Sequence, residues 1–175
     1  MNRRSWITTC LCLVLAANCW SQEDPGKTKL GMVHVSVFFA TNGDADAAGS
    51  KATPVAADIS DRLSKEQRLK FKHYRLIGED TKPLYRSYEN WAEPLKPSDE
   101  VMVRFEAQSE PTPNFAILDI ELWLARKKTI KTDARLEGNK PLFVLGPKWR
   151  GGQLIISIAL AESKATAPNP TTPHR

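Results

Sequence analysis

Cysteine is absent from most of this 175-residue chain, and that absence excludes several kinds of site. The three cysteines, Cys10, Cys12 and Cys19, all lie near the amino terminus. The remainder of the chain therefore has no disulfide, no thiol nucleophile and no thiolate metal ligand. A small toxin or growth factor is disfavoured, because such folds depend on disulfides. About 150 residues are nevertheless enough to bury a core that holds a domain together.

Long apolar runs are also scarce. Beyond the first twenty residues, no run approaches the roughly 20 apolar residues that a membrane-spanning helix needs, so a polytopic membrane protein is excluded. With 41% hydrophobic and 26% charged residues, the composition is that of an ordinary globular domain, which excludes collagen-like, coiled-coil and wholly disordered chains. The length favours one domain.

The amino terminus has the pattern of a secretory signal peptide. Arg3 and Arg4 precede an apolar segment at residues 6–17, and small residues follow it. A basic start, a short apolar segment and small residues are typical of an export signal. We predict a signal peptide over residues 1–21, and hence an exported protein located in the periplasm or outside the cell.

Alternatives for this segment remain open. Cleavage after Cys19 fits nearly as well as cleavage after Ser21, and the arginine pair loosely resembles a twin-arginine export signal. An uncleaved membrane anchor is disfavoured because the apolar stretch is short. Lipid attachment at Cys19 is disfavoured because residues 16–18 resemble a lipobox poorly.

The charge balance excludes one class of partner. Loss of Arg3 and Arg4 with the signal peptide lowers the formal net charge from +5 to +3. Positive and negative residues are interspersed, whereas a nucleic-acid-binding protein shows a concentrated basic surface. We therefore predict no nucleic-acid partner.

Period-two alternation of apolar residues predicts a chain rich in β-strands. Predicted strands cover residues 33–39, 71–77, 84–91, 101–107, 118–124, 130–136, 142–145 and 153–161. A turn is predicted at residues 78–80, and loops at residues 41–50 and 146–152. One amphipathic helix is predicted over residues 57–69, with Asp58 as its N-cap and with Leu63 and Leu69 facing the core.

This order of elements predicts an α+β fold, mainly antiparallel sheet with one amphipathic helix packed on it. The alternative is a β-sandwich with an inserted helix. We predict a flexible segment at residues 22–31 and a single domain at residues 32–161. Residues 162–175 are predicted to be a disordered tail because they contain no large apolar residue.

Catalytic and cofactor motifs are missing from the sequence. There is no G-x-S-x-G, no G-x-G-x-x-G, no P-loop and no H-E-x-x-H. His34 and His73 are the histidines available for a catalytic triad, and both are interpreted as surface residues on strands. Asn42, Asp44 and Asp46 have the spacing that begins a calcium loop, but the glycine and the bidentate glutamate of such a loop are absent. No catalytic residue, metal or cofactor is predicted.

The segment Lys148-Trp149-Arg150 is the candidate binding site. It places a tryptophan between two cations among glycines and Pro147, and an exposed aromatic residue with flanking cations can anchor a partner. In the alternative interpretation, Trp149 folds back over the end of the sheet and the cations are only solvated. In the predicted strand at residues 118–124, Trp123 lies on the same face as Glu121, where the alternation predicts polar residues. This position indicates that the polar face of the strand is partly covered.

The layout resembles that of small exported bacterial proteins of uncharacterised function. The resemblance rests on the leader and on four segments, and it covers most of residues 32–161. The segments are Val33-His34-Val35-Ser36-Val37, Phe71-Lys72-His73-Tyr74, Leu142-Phe143-Val144-Leu145-Gly146-Pro147 and Gly151-Gly152-Gln153-Leu154-Ile155-Ile156. Because these motifs are strands and turns, the resemblance implies no activity and no catalytic residues.

These observations favour a non-enzymatic envelope or surface module that binds a protein or surface partner. The mature chain is predicted to have no transmembrane span, and no prediction of its oligomeric state follows. The alternative is an exported hydrolase or carbohydrate-active protein that uses two carboxylates, which would have to face one cleft about 5–10 Å apart. A third possibility is a subunit of a surface assembly that joins its partners through an exposed edge strand.

Overall fold

The computed structural model describes residues 24–86, 90–92, 94–109, 111–112, 115–138 and 140–161, and within these it contains nine strands and one α-helix. The helix, α1, spans Ala57–Lys65, and short 3₁₀ helices span Pro25–Lys27 and Ala45–Ala48. The strands are β1 (Lys29–Thr41), β2 (Thr53–Pro54), β3 (His73–Tyr85), β4 (Asn90–Ala92), β5 (Val101–Ala107), β6 (Phe115–Leu124), β7 (Lys127–Glu137), β8 (Leu142–Trp149) and β9 (Gly152–Ala161).

The strands form two antiparallel sheets. The larger sheet has the order β2-β3-β1-β9-β8, and the smaller sheet has the order β4-β5-β6-β7. Long β1 lies at the centre of the larger sheet, between β3 and β9. The predicted class, α+β with mainly antiparallel sheet and one helix, is confirmed for the described residues.

One apolar core lies between the two sheets. The alternation of β1 places Val33, Val35, Val37 and Phe39 in this core, each fully buried. The smaller sheet contributes side chains of the same kind from its own alternating strands, among them Val103, Phe105, Leu118, Ile120 and Leu122. The sheets therefore pack as layers, as in the sandwich alternative.

A second, smaller core lies on the other face of the larger sheet, under α1. Leu63 and Leu69 are buried there against Phe38, Ala40 and Ile155, as their spacing predicts. The helix itself is shorter than the predicted residues 57–69, and Glu66 adopts an extended conformation at its end. The prediction of Asp58 as N-cap is wrong, because the cap position is Ala56 and Asp58 lies in the first turn.

The turn predicted at residues 78–80 is wrong, because β3 continues through them. Val37 pairs with Gly78 and Phe38 pairs with Leu76, so Ile77 is an extra residue in β3. Such a β-bulge lets a strand bend without ending. A Cβ on Gly78 would lie 1.9 Å from the carbonyl oxygen of Leu95. Only glycine at this position therefore allows the segment that contains Leu95 to lie so close to β3.

The loop predicted at residues 146–152 is also mostly wrong. β8 continues to Trp149, with a register irregularity between Leu145 and Lys148. The turn itself contains Arg150 and Gly151, with φ values of 48° and 78°. Two adjacent positive φ values are typical of a type I′ hairpin turn.

The chain boundaries differ from prediction at one end. β1 begins at Lys29, inside the segment predicted to be flexible at residues 22–31. The predicted signal peptide at residues 1–21 and the predicted tail at residues 162–175 lie outside the described residues. Within the described residues, no helix has the length and apolar character needed to cross a membrane.

Candidate binding surface

The sequence-predicted site does not form one surface. Trp149 packs edge-on against Phe39, with ring centroids 5.7 Å apart, and so helps to close the end of the core. Arg150 lies over the same indole, with Cζ 4.3 Å from the ring centroid. Exposed Lys148 instead borders a separate hollow with Asn42. The arrangement corresponds to the alternative in which Trp149 covers the end of the sheet.

Arg150 joins three parts of the chain. Its Nη2 donates to Glu100 Oε1 at 2.8 Å, and its Nη1 donates to the carbonyl oxygen of Ala48 at 3.3 Å. Nearby, Lys51 pairs with Asp99. These charged groups are paired within the chain, so we assign Arg150 a structural role at this end of the sandwich.

His34 lies on an open part of the larger sheet. Its Nδ1 is 2.8 Å from Thr81 Oγ1, and its Nε2 is 3.1 Å from Ser36 Oγ and 3.7 Å from Glu79 Oε2. In a serine triad the hydroxyl faces Nε2 and the carboxylate faces Nδ1, whereas here the carboxylate of Glu79 lies on the Nε2 side and Nδ1 faces the hydroxyl of Thr81. The side chains of His34 and Glu79 are 41% and 52% exposed, so water reaches the cluster. His73 is exposed at the start of β3.

Two of the three residues with calcium-like spacing accept hydrogen bonds from the backbone instead, and the third, Asp46, lies 3.9 Å from Arg75. Asp44 Oδ1 accepts a hydrogen bond from the Asp46 amide at 2.8 Å, and Asn42 Oδ1 accepts one from the Lys72 amide at 3.0 Å. The segment predicted as a plain loop is therefore partly ordered by a 3₁₀ turn. Among the described residues, no group of three or more histidine and acidic side chains is arranged to hold a metal ion.

The outer face of the smaller sheet carries a buried charge network. Arg104 and Glu121 are opposite each other on β5 and β6, and they are 8% and 5% exposed. Glu121 accepts hydrogen bonds from Trp123 Nε1 at 2.9 Å and from Lys128 Nζ at 3.1 Å. Trp91 packs against Trp123, with centroids 5.7 Å apart, which explains the partial cover that the sequence indicates.

The charge network keeps Glu121 ionised. Burial by itself would raise the pKa of Glu121, but the hydrogen bonds from Lys128 and Trp123 and the charges of Lys128 and Arg104 outweigh it. Its pKa therefore lies below the ordinary value. On the same face, Lys131 donates to Asp119 Oδ2 at 2.9 Å, and this bond raises the pKa of the lysine.

The β8 edge is the surface that sequence reasoning missed. β8 is the last strand of the larger sheet, and its Leu142–Leu145 segment is four consecutive apolar residues. Leu145 is 42% exposed, and it is the only large apolar side chain among the described residues with such exposure. A strand at a sheet edge presents unpaired backbone N–H and C=O groups to any chain that approaches.

The other end strands of the two sheets are protected in ways that β8 is not. β2 and β4 have only two and three residues, and short strands offer little to pair with. β7 is long, but it carries exposed Lys127, Lys128 and Lys131, and lysine is a usual protection of an edge. The Leu142–Leu145 segment is both apolar and without a charge of its own.

An open hollow of about 880 Å³ lies between α1 and β8. We call it the basic groove; it is lined by Arg62, Lys65, Arg68, Leu69, Phe143 and Leu145, among others. The guanidinium of Arg62 lies 5.5 Å above the Phe143 ring. The groove thus has an apolar side on β8 and a cationic side on α1 and the residues that follow it.

A sequence signal for the basic groove was available. Arg62, Lys65 and Arg68 recur every third residue, which places the first two on one helix face. The edge position of β8 had no comparable signal, because it depends on which distant strands pair. The chain matches no protein-family model, no curated protein and no solved structure, and the resemblance to small exported bacterial proteins stays a prediction.

Proposed function

We propose that this protein is an exported, non-enzymatic module that binds a protein partner in the cell envelope or at its surface. The observation that carries the proposal is the apolar edge of β8 beside the basic groove. Such an edge can accept an extended segment of a partner as an additional strand. The proposal therefore combines the predicted binding module with the third possibility, attachment through an edge strand.

Strand addition uses two kinds of contact. Backbone hydrogen bonds to the open edge supply affinity, and side chains on alternate positions supply specificity. At β8 the alternation is explicit, because Leu142 and Val144 pack on the core between the sheets, whereas Phe143 packs on the core beneath α1. A partner strand would become the next strand of the sheet beside β8, and its side chains would extend both of these apolar cores.

The carboxylate-dependent hydrolase has weaker support. The neighbouring acids Asp119 and Glu121 are already paired with cations, Asp119 with Lys131 and Glu121 with Arg104. A general acid needs a pKa raised toward neutrality, whereas the pKa of Glu121 is lowered. Among its described lining residues, the basic groove contains one carboxylate, Glu66, and no histidine.

Export is the second part of the proposal, and it rests on the predicted signal peptide. The test is the mass of the protein recovered outside the cytoplasm. Cleavage after Ser21 would leave Gln22 as the first residue, and cleavage after Cys19 would leave Trp20. Recovery of the full-length chain in the cytoplasm would contradict export.

Binding is tested by selecting peptides from a random phage-displayed library on the full chain. The binders are then measured on Leu145→Glu, which places a charge on the exposed edge, and on Thr53→Glu, an exposed position on β2 at the opposite side of the same sheet. We expect peptides that bind the wild type and Thr53→Glu but lose binding to Leu145→Glu. Peptides that bind all three equally, or no enrichment at all, would overturn the proposal.

A further inference from the structure

We infer that the segment which pairs with β8 is an extended peptide with acidic side chains at alternate positions. The inference rests on the proposed function and adds the chemistry of the partner. It follows from the cations that border the β8 edge on the face of the sheet that carries α1.

Within the described residues, the cationic side of the basic groove has no ion-paired acid. Arg62, Lys65 and Arg68 line the groove with a single acid, Glu66. No ion pair joins any of these three cations to an acidic side chain in the described part of the chain, and Arg62 instead lies over the Phe143 ring. Arg62 and Lys65 also lie in the last helical turn, where cations offset the helix dipole. Arg68 lies beyond the helix, so the dipole does not account for it.

The alternation of a strand decides which partner residues meet these cations. Phe143 and Leu145 face the groove, opposite Ser157 and Ile155 of β9. In a partner strand beside β8, every second side chain would face the groove as well. Acidic groups at those positions would lie near Arg62, Lys65 and Arg68, and apolar groups at the intervening positions would extend the layer formed by Leu142 and Val144.

A second copy of this chain is a poor occupant. If two β8 edges paired, the basic grooves of both copies would lie on or near one junction, and like charges in proximity disfavour association. The residues after Ala161 are also a poor occupant, because they contain Glu162 but also Lys164 and Arg175. The charge of the groove therefore disfavours self-pairing and favours an acidic segment from another protein.

The test compares three blocked peptides of about eight residues, the length of an ordinary strand. In the first peptide valine alternates with glutamate, in the second with glutamine and in the third with lysine. Affinity for the full chain is measured by fluorescence polarisation at low salt, and the site is located by hydrogen exchange at the amides of residues 142–145. We expect the glutamate peptide to bind at least about ten-fold more tightly than the other two and to protect these amides. This difference in affinity should decrease as salt screens the charges.

Charge reversal on the protein provides the matched control. The double variant Lys65→Glu, Arg68→Glu should bind the glutamate peptide about ten-fold more weakly than the wild type, because two attractive charge pairs become repulsive. Lys29→Glu with Lys127→Glu makes the same change in net charge at exposed lysines of β1 and β7, outside the described lining of the groove, and should leave the affinity unchanged. Equal loss in both variants would overturn the inference, because only net charge would then matter.

Three further outcomes decide between the inference, the proposed function and an anionic membrane surface. If the glutamine peptide binds as tightly as the glutamate peptide and protects residues 142–145, strand addition stands and the acidic partner is overturned. If none of the peptides protects these amides, strand addition at β8 fails together with the inference. Groove-dependent binding to vesicles that contain phosphatidylglycerol, with no binding of the glutamate peptide, would overturn the inference in favour of an anionic membrane surface.

Discussion

The guanidinium of Arg62 lies over the ring of Phe143, with Cζ 5.5 Å from the ring centroid. This contact joins α1 to the edge strand β8. A cation–π contact at a partly exposed site contributes about 0.5–1 kcal/mol. It also holds one cation of the basic groove beside the apolar edge that we propose as the binding surface.

Arg62→Gln should therefore lower the free energy of unfolding by about 0.5–1 kcal/mol, measured by urea denaturation. Lys29→Gln, at an exposed position on β1, is the control and should change stability by less than about 0.5 kcal/mol. Equal stability of the two variants would mean that the Arg62–Phe143 contact does not stabilise the fold.

Trp149→Ala should reduce stability without reducing peptide binding at β8. Its ring packs on Phe39 and under Arg150, and removal of this half-buried side chain should cost about 2 kcal/mol, less than for a fully buried tryptophan. Thermal denaturation measures the loss, and fluorescence polarisation measures binding of the glutamate peptide below the melting temperature. Lost binding with unchanged stability would instead support Trp149 as the anchor of a partner.

Gly78→Ala tests the crossing of the Leu95 segment over β3. The added methyl would meet the carbonyl oxygen and carbonyl carbon of Leu95 at 1.9 and 2.5 Å, and a backbone cannot move aside as a flexible side chain can. We expect a loss of about 3 kcal/mol or a failure to fold. Gly31→Ala is the control, because a Cβ there meets nothing within 4 Å, and it should leave the melting temperature nearly unchanged.

Glu121→Gln should alter the pH dependence of stability. The pKa of Glu121 is lower in the folded protein than its ordinary value of 4.5, so the ionised group stabilises the fold above that pH, and this contribution is lost as the pH falls through the folded pKa. Near neutral pH the free energy of unfolding of the wild type should exceed that of the variant by about 1–3 kcal/mol, because buried Arg104 loses a partner in the variant. The difference should shrink in acid.

Urea denaturation of both proteins across this pH range measures the effect. Glu137→Gln, on an exposed acid of β7, provides the comparison and should change stability by less than about 0.5 kcal/mol. If the difference in the free energy of unfolding between the wild type and Glu121→Gln stays constant through acid pH, the lowered pKa of Glu121 is contradicted.

Local patterns predicted most of the strands but not their order. The alternation from Val33 to Phe39 reports which face is buried, and the structure confirms it because one face of β1 meets the core. The turn predicted at Gly78 was wrong because a bulge lets glycine serve a close approach inside a continuous strand. Gly146 lies inside β8, at the register irregularity between Leu145 and Lys148, and Gln153 donates a side-chain hydrogen bond to its carbonyl.

The candidate surface was harder to predict than the fold. β8 lies at an edge because β9 pairs with β1 on one side and with β8 on the other, and no further described strand follows β8 in the sheet. The pairing of β9 with distant β1 leaves no local pattern in the sequence. Trp149 stood out in the sequence, but a tryptophan beside glycines is equally suited to packing at the end of a core. Its contact with Phe39 decides between these roles only when the fold is known.

The most direct test of the account is the set of nuclear Overhauser effects between β8 and a bound, isotope-labelled glutamate–valine peptide. Strand addition predicts a regular series of backbone cross-peaks between the peptide and residues 142–145 of the full chain. A peptide that binds but shows cross-peaks only to α1, or to the Trp149 end of the sandwich, would contradict it.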